Sequence, residues 1–589
     1  MTAKVISLNI KPGIQRDGTL FDAPVYVDGK WVRFQRGRPR KIGGYKGIFQ
    51  NASGISRGMI LNSENGLNYV YSGWSDGLQE WVTDDDDGVG SGPTNISLSD
   101  FTADPNNLWQ FDIGFDSGGS GNQKLIAHPG QNLTHIDSTT NTPVLVGDFP
   151  TGAMTQVGVF TAAGTMVIGP PSVFTIASIN ALIAVGQTVT GTGVPANTTV
   201  TVVVIGSSTT TVTLSNTVST AGALTLTFNN NISVSGGVVM MHPYMFVYGN
   251  NGLIKNCSAG NFQDWVSADS NENTVSAGKI VKGLPVRGGT TSPSGLFWSL
   301  DSLIRVSYAP TTVGTSTIYW RYDIVTSQSS ILSSSSVIEY DGLFFWCGVD
   351  RFLMYNGVVT EVANNMNINY FFDNINYAQR QKVWATKIPR WGEIWWFYPK
   401  GNATECTDAI IYNVRDKVWY DAGEARGANR SAGTFSEVFR KPIWAGTETN
   451  ASNTYTLWQH ESGTDLVNLS QQSAIQSYFE TDSIGWVNGG PNQNDPVGMN
   501  NYIRLERVEP DFVQSGDMNL YVTGKGYATD EDQVSAPYVF SPTTLKIDMR
   551  EQRREMRLRF ESNVVNGNYE CGLNLLSADV GDMRSTGNP

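Results

Sequence analysis

The sequence predicts an all-β chain built chiefly as an irregular β-propeller, and three observations carry that expectation. Glycine supplies 62 of 589 residues and aromatics 11%, with Thr, Ser, Val and Asn filling the apolar stretches. No 3.6-residue apolar period persists beyond a couple of turns, so helix should be scarce. One short helix is expected within NYFFDNINYAQRQKVW, residues 369–384. Finally, one pattern recurs between residues 54 and 480: a short apolar strand, an Asp-Gly or Asn-Gly turn, an aromatic-rich strand and a polar loop.

LNYVYSGWSDGLQEWV (67–82), YMFVYGNNGLIKNCSAGNFQDWV (244–266) and VIEYDGLFFWCGVDRFLMYNGVVTEV (337–362) are instances, continued by residues 392–423 and 442–465. Asp-Gly and Asn-Gly provide the positive φ that two-residue hairpin turns require, and the flanking aromatics suit a half-buried pleated face. A single such unit cannot bury both faces, whereas radial stacking covers them. Six or seven candidate blades can be counted, without a WD or kelch signature. An irregular array of β-sandwiches is the alternative.

The length suggests roughly two to four domains. Residues 1–53 read as an N-terminal arm and part of a platform, 54–149 and 238–480 as two parts of the propeller, and 481–589 as a C-terminal β-rich platform domain. Residues 150–237 break the pattern, with no Trp and no charged side chain. Their Thr/Val strands and GTG, PAN and SST turns read as a small β-sandwich inserted into a blade loop. The wording resembles immunoglobulin-like modules of phage and bacterial surface proteins.

Charge is unevenly placed. Residues 30–46, KWVRFQRGRPRKIGGYK, hold seven basic residues and no acidic one, against a net charge of −13 for the whole chain. Without those seven charges the remainder stands at about −20, and such a local inversion marks a contact surface. Near the other end, LKIDMREQRREMRLRFES (545–562) carries Arg550, Arg553, Arg554, Arg557 and Arg559. Strand alternation sets Arg557 and Arg559 on one face and Met556, Leu558 and Phe560 on the other, toward a core.

Catalytic signatures are lacking. The four cysteines, Cys257, Cys347, Cys406 and Cys571, include no CxxC pair and read as isolated buried thiols of a protein made in a reducing cytoplasm. The four histidines form no HExxH, and the spacing of His128 and His135 does not favour a shared metal. GFDSGGSGN (114–122) lacks the Lys-Ser/Thr of a phosphate loop. Asp84, Asp85, Asp86 and Asp87 precede a glycine but lack the spaced ligands and distal Glu of a calcium loop. Trp384, Trp391, Trp395 and Trp396 could offer a sugar-stacking surface, yet alternation places neighbours on opposite faces and core packing is the expectation. No cofactor, no metal and no enzyme activity are expected. Nor is a signal peptide or a membrane span.

PGIQRDGT (12–19) followed by KWVRFQRGRPRKIGGY resembles the N-terminal signature of tail nozzle (tail tubular, hub) proteins of short-tailed bacteriophages, and the closing strand near MRLRF resembles their C-terminal domain. The resemblance implies a structural virion protein, assembled in the host cytoplasm. It would form a ring of six that extends the DNA-ejection channel beneath the tail adaptor, with tail fibres or spikes as further partners. Lys30, Arg33, Arg36, Arg38, Arg40, Lys41, Arg550, Arg553, Arg557 and Arg559 are then the interface candidates, meeting acidic surface on adaptor or neighbour. Asp84, Asp85, Asp86 and Asp87 are the channel-lining candidates, since carboxylates repel phosphate and let a duplex pass without tight binding. A receptor- or glycan-binding propeller adhesin is the alternative, and a propeller glycosidase would need an acid pair that nothing in the sequence singles out.

Overall fold

In the computed structural model of the chain the described residues are 4–19, 24–64, 66–83, 90–99, 101, 108–116, 123–130, 140–149, 153–286, 292–436, 439–485, 501–526 and 530–583. Seven four-stranded antiparallel units follow one another as propeller blades. Blades 1 to 6 span residues 58–95, 110–156, 237–274, 280–326, 337–361 and 384–421. Blade 7 takes three strands from residues 430–460, and its fourth, Tyr45–Ala52, comes from near the N-terminus. Pairing the first propeller strand with the last closes the ring without a free edge at that seam. Two further strands, Leu466–Asn468 and Gln471–Ser473, extend this sheet.

Strand alternation builds the blade interfaces. Phe344 faces blade 4 while Phe345 faces blade 6, and Trp396 faces blade 5 while Trp395 faces blade 7. Each neighbouring pair of blades thus shares a dry core, and blade 7 meets blade 1 through Phe49, Leu61, Trp81 and Leu457. The turn chemistry is as expected: Asp341 and Gly342, with φ of 50° and 82°, join Val337–Tyr340 to Leu343–Cys347. The short helix expected within 369–384 is the two-turn Ile368–Asn374, which begins one residue earlier. Among the described residues no helix is long and apolar enough to cross a membrane.

The inserted module is one six-stranded sheet, spanning residues 159–229, curled so that Thr188 near one edge bridges Thr199 near the other. Its two halves enclose Phe160, Phe174, Val212, Leu226 and Phe228. The module sits between blades 2 and 3. Ser233–Val234 pairs back onto Thr142–Pro143, a short stem that brings entry and exit together.

Both chain ends weave the platform. Lys4–Ser7 pairs with Leu575–Met583, Asp28–Lys30 with Ser477–Glu480, and Arg38–Lys41 adjoins Asn568–Cys571. Three expected boundaries shift. Tyr45–Ala52 leaves the N-terminal arm to complete blade 7, because ring closure needs a fourth strand there. Thr155–Gln156 is the outer strand of blade 2 and not part of the insertion. Ser477–Glu480 belongs to the platform, because its partner Glu555–Ser562 lies there.

Candidate functional site

The ten basic candidates divide by environment. Arg33, 1% exposed, is internal. Its guanidinium donates to both oxygens of Glu461 at 2.6 and 2.8 Å and to Glu393 at 3.1 Å, and it stacks on Trp391. Glu393 belongs to blade 6 and Glu461 follows blade 7, so one platform arginine ties the platform to two blades. Burial opposes ionisation of Glu461, but Arg33 and the Trp391 N–H hold it below the usual carboxylate range. Glu393 is pushed up by burial, with Arg33 offsetting only part of that. Arg16 makes a second joint, chelating Asp421 of blade 6 at 2.8 and 2.9 Å and pairing with Asp28 of the platform.

Lys41 is also interior. It donates to the Gly567 carbonyl at 2.8 Å, and burial lowers its pKa to about 8. Arg557 bridges Glu480 and Asp532, Arg559 pairs with Glu561 and lies 3.5 Å from the Tyr478 ring centroid, and Arg553 pairs with Glu551. Lys30 is half-buried on its strand. Arg40 is part-exposed, reaching Glu570 and stacking on Trp391. Arg36, Arg38 and Arg550 remain outward. Arg36 and Gly37, with φ of 52° and 77°, form the tip of the basic hairpin. The expectation of a contact surface made by all ten therefore narrows: Lys41 shares the inward face of Val32 and Phe34, and Arg33, on the same face as Arg38 and Arg40, is covered by Trp391, Glu393 and Glu461. Asp84, Asp85, Asp86 and Asp87 lie outside the described residues.

The other sequence candidates are structural. Trp384, Trp391, Trp395 and Trp396 are all buried and offer no open stacking face. His128 is buried among the carbonyls of Thr142 and Val234, and burial lowers its pKa to about 4. His135 lies outside the described residues.

Sequence reasoning missed the propeller axis. The first strands of the blades neighbour one another around it, and their starting ends frame a cavity of about 160 Å³. Arg57, Lys282 and Lys382 line it, beside Gln110, Ser335 and Trp384. Glu405, from a loop of blade 6, accepts two bonds from Arg57 at 2.7 and 2.8 Å and one from Lys382 at 2.7 Å. Side chains thus narrow the axis to this cavity. A visible signal existed: each of these cations sits at or just before the first strand of a blade, where an apolar run begins.

No family model matches the chain, and no curated protein matches it. Among solved structures it is similar to puromycin hydrolase, at 7% identity and a TM-score of 0.28, over 81% of this chain and 59% of that one. The chain therefore spans about six-tenths of that enzyme's length. A putative exported protein of Bacteroides fragilis is matched at 9% identity and a TM-score of 0.24, over 62% of this chain and 98% of that one. A glycoside hydrolase is matched at 9% and 0.19, over 90% and 100%. All three TM-scores lie below 0.5.

Proposed function

We propose that this chain is a structural virion protein, a ring-forming nozzle subunit that extends the DNA-ejection channel of a short phage tail below its adaptor. One observation carries the reading: a propeller that is closed on itself is joined to a platform that is not. Val513 and Leu545 on the platform are 79% and 86% exposed, and Val534 and Val539 also face outward. Arg36, Arg38 and Arg550 share this platform. Exposed apolar side chains and cations on one domain are what a protein–protein contact uses.

An axis narrowed to a cavity of about 160 Å³ cannot pass a duplex through a single subunit. Any channel has to be enclosed between copies, and closed rotational symmetry is the ordinary way for identical subunits to do so. The net charge of −13 suits a wall that repels phosphate. Native mass spectrometry of the purified protein, alone and with its adaptor, tests the reading. A hexamer, formed alone or on the adaptor, is expected; a monomer under both conditions would overturn it.

A further inference from the structure

The axial cavity holds more positive charge than its own carboxylates satisfy. Arg57 and Lys382 share the single carboxylate of Glu405, and Lys382 also donates to the Thr404 carbonyl at 2.6 Å. Burial raises the Glu405 pKa, but these two cations more than reverse that, so it stays charged and fully engaged. Lys282 is different. Its ammonium makes no hydrogen bond and no ion pair among the described residues.

The carboxylate nearest in charge to Lys282 is Asp112, and both its oxygens are committed elsewhere. One accepts from the Ile113 N–H and the other from the Met240 N–H, each at 2.8 Å. Three cations therefore face two carboxylates, leaving one positive charge in excess. The Ser335 hydroxyl also lines the cavity without a side-chain hydrogen bond among the described residues. The Lys282 ammonium is half-buried and reaches the water of the cavity, so its donors are open to an oxygen-bearing anion that enters. Trp384 spends its N–H on the Arg430 carbonyl and so adds only apolar wall. A cavity of about 150 Å³ accepts a molecule the size of benzene, which bounds the guest.

We propose that the propeller axis is a binding site for one compact oxyanion, a carboxylate or a phosphate, received by Lys282 and Ser335 in the field of Arg57 and Lys382. The site stands on the propeller alone and does not depend on ring assembly. Isothermal titration of the full-length protein with inorganic phosphate, and separately with benzoate, tests it. Saturation at one site per chain by either anion is expected, and which one binds tells phosphate from carboxylate as the natural guest. Lys282→Met keeps the aliphatic stem and should weaken binding at least tenfold, while Lys282→Arg should retain it. Crystals soaked in selenate should show one anomalous peak beside Lys282, a readout independent of how the variants fold. Failure of both anions to saturate, unchanged affinity in Lys282→Met, or selenate found only away from the axis would overturn the proposal.

Discussion

The propeller and the platform are both all-β, yet they manage their surfaces in opposite ways. Each propeller blade spends both faces on its neighbours, through aromatic seams such as Phe352, Trp396 and Trp419, and the ring closes through Tyr45–Ala52. In the platform, by contrast, charge is laid against sheet faces, with Arg557 across Glu480 and Asp532 and Arg559 against Tyr478. It also leaves Val513 and Leu545 in the open. The propeller closes its ring, and apolar side chains it exposes, such as Val313 and Ile318, lie near a hairpin tip of blade 4. The platform leaves its sheets open, and the two regions are joined by a shared core around Trp31, Phe34, Trp395 and Tyr420 together with the buried Arg33.

The sharpest way to break that contrast is at the joint. Arg33→Ala leaves Glu393 and Glu461 buried without their cation, and loss of one partner of a buried pair costs about 3–5 kcal/mol. Urea unfolding should show this loss and a separation of platform from propeller transitions. A loss below about 1 kcal/mol would mean that the joint is not held by charge. Trp396→Ala opens the seam between blades 5 and 6 and should cost about 3–5 kcal/mol, lost from the propeller transition with the platform unaffected.

A smaller effect separates the two regions by pH. Asp482, buried in the platform, has its pKa raised to about 7 by burial. Because its folded-state value exceeds the unfolded one, its contribution favours the fold below about pH 4 and is lost as pH rises to about 7. Asp482→Asn should remove that slope, gaining about 1–3 kcal/mol over the native protein at pH 8 but little at pH 4. Equal stabilisation at both pH values would sink this account. The least change in stability is expected from reversing Arg36, Arg38 and Arg550 to Glu, within about 0.5 kcal/mol. Association should nonetheless weaken, and more so as salt falls.

Much of this architecture was legible because hairpins declare themselves locally. Asp341-Gly342 named its own turn, and the alternation in MRLRF placed Met556, Leu558 and Phe560 inward, as they are. What depends on distant pairing was not legible. Nothing around Tyr45–Ala52 says that it completes a blade whose other strands begin at Arg430, and Arg33 gives no local hint of Glu393 or Glu461. Charge density along residues 30–46 pointed to contact, but the run mixes inward and outward residues, so only part of it can meet another molecule. The axial cations escaped notice for the same reason: Arg57 and Lys382 are 325 residues apart in sequence and meet only through Glu405.

Electron cryo-microscopy of the protein mixed with the tail adaptor that the proposed function calls for tests the central claim most directly. A closed ring should appear, with platforms contacting one another and the adaptor, an axial channel between the copies wide enough for duplex DNA, and no propeller axis wide enough for one. A monomer on the adaptor, or a ring whose copies touch only through their propellers, would contradict it.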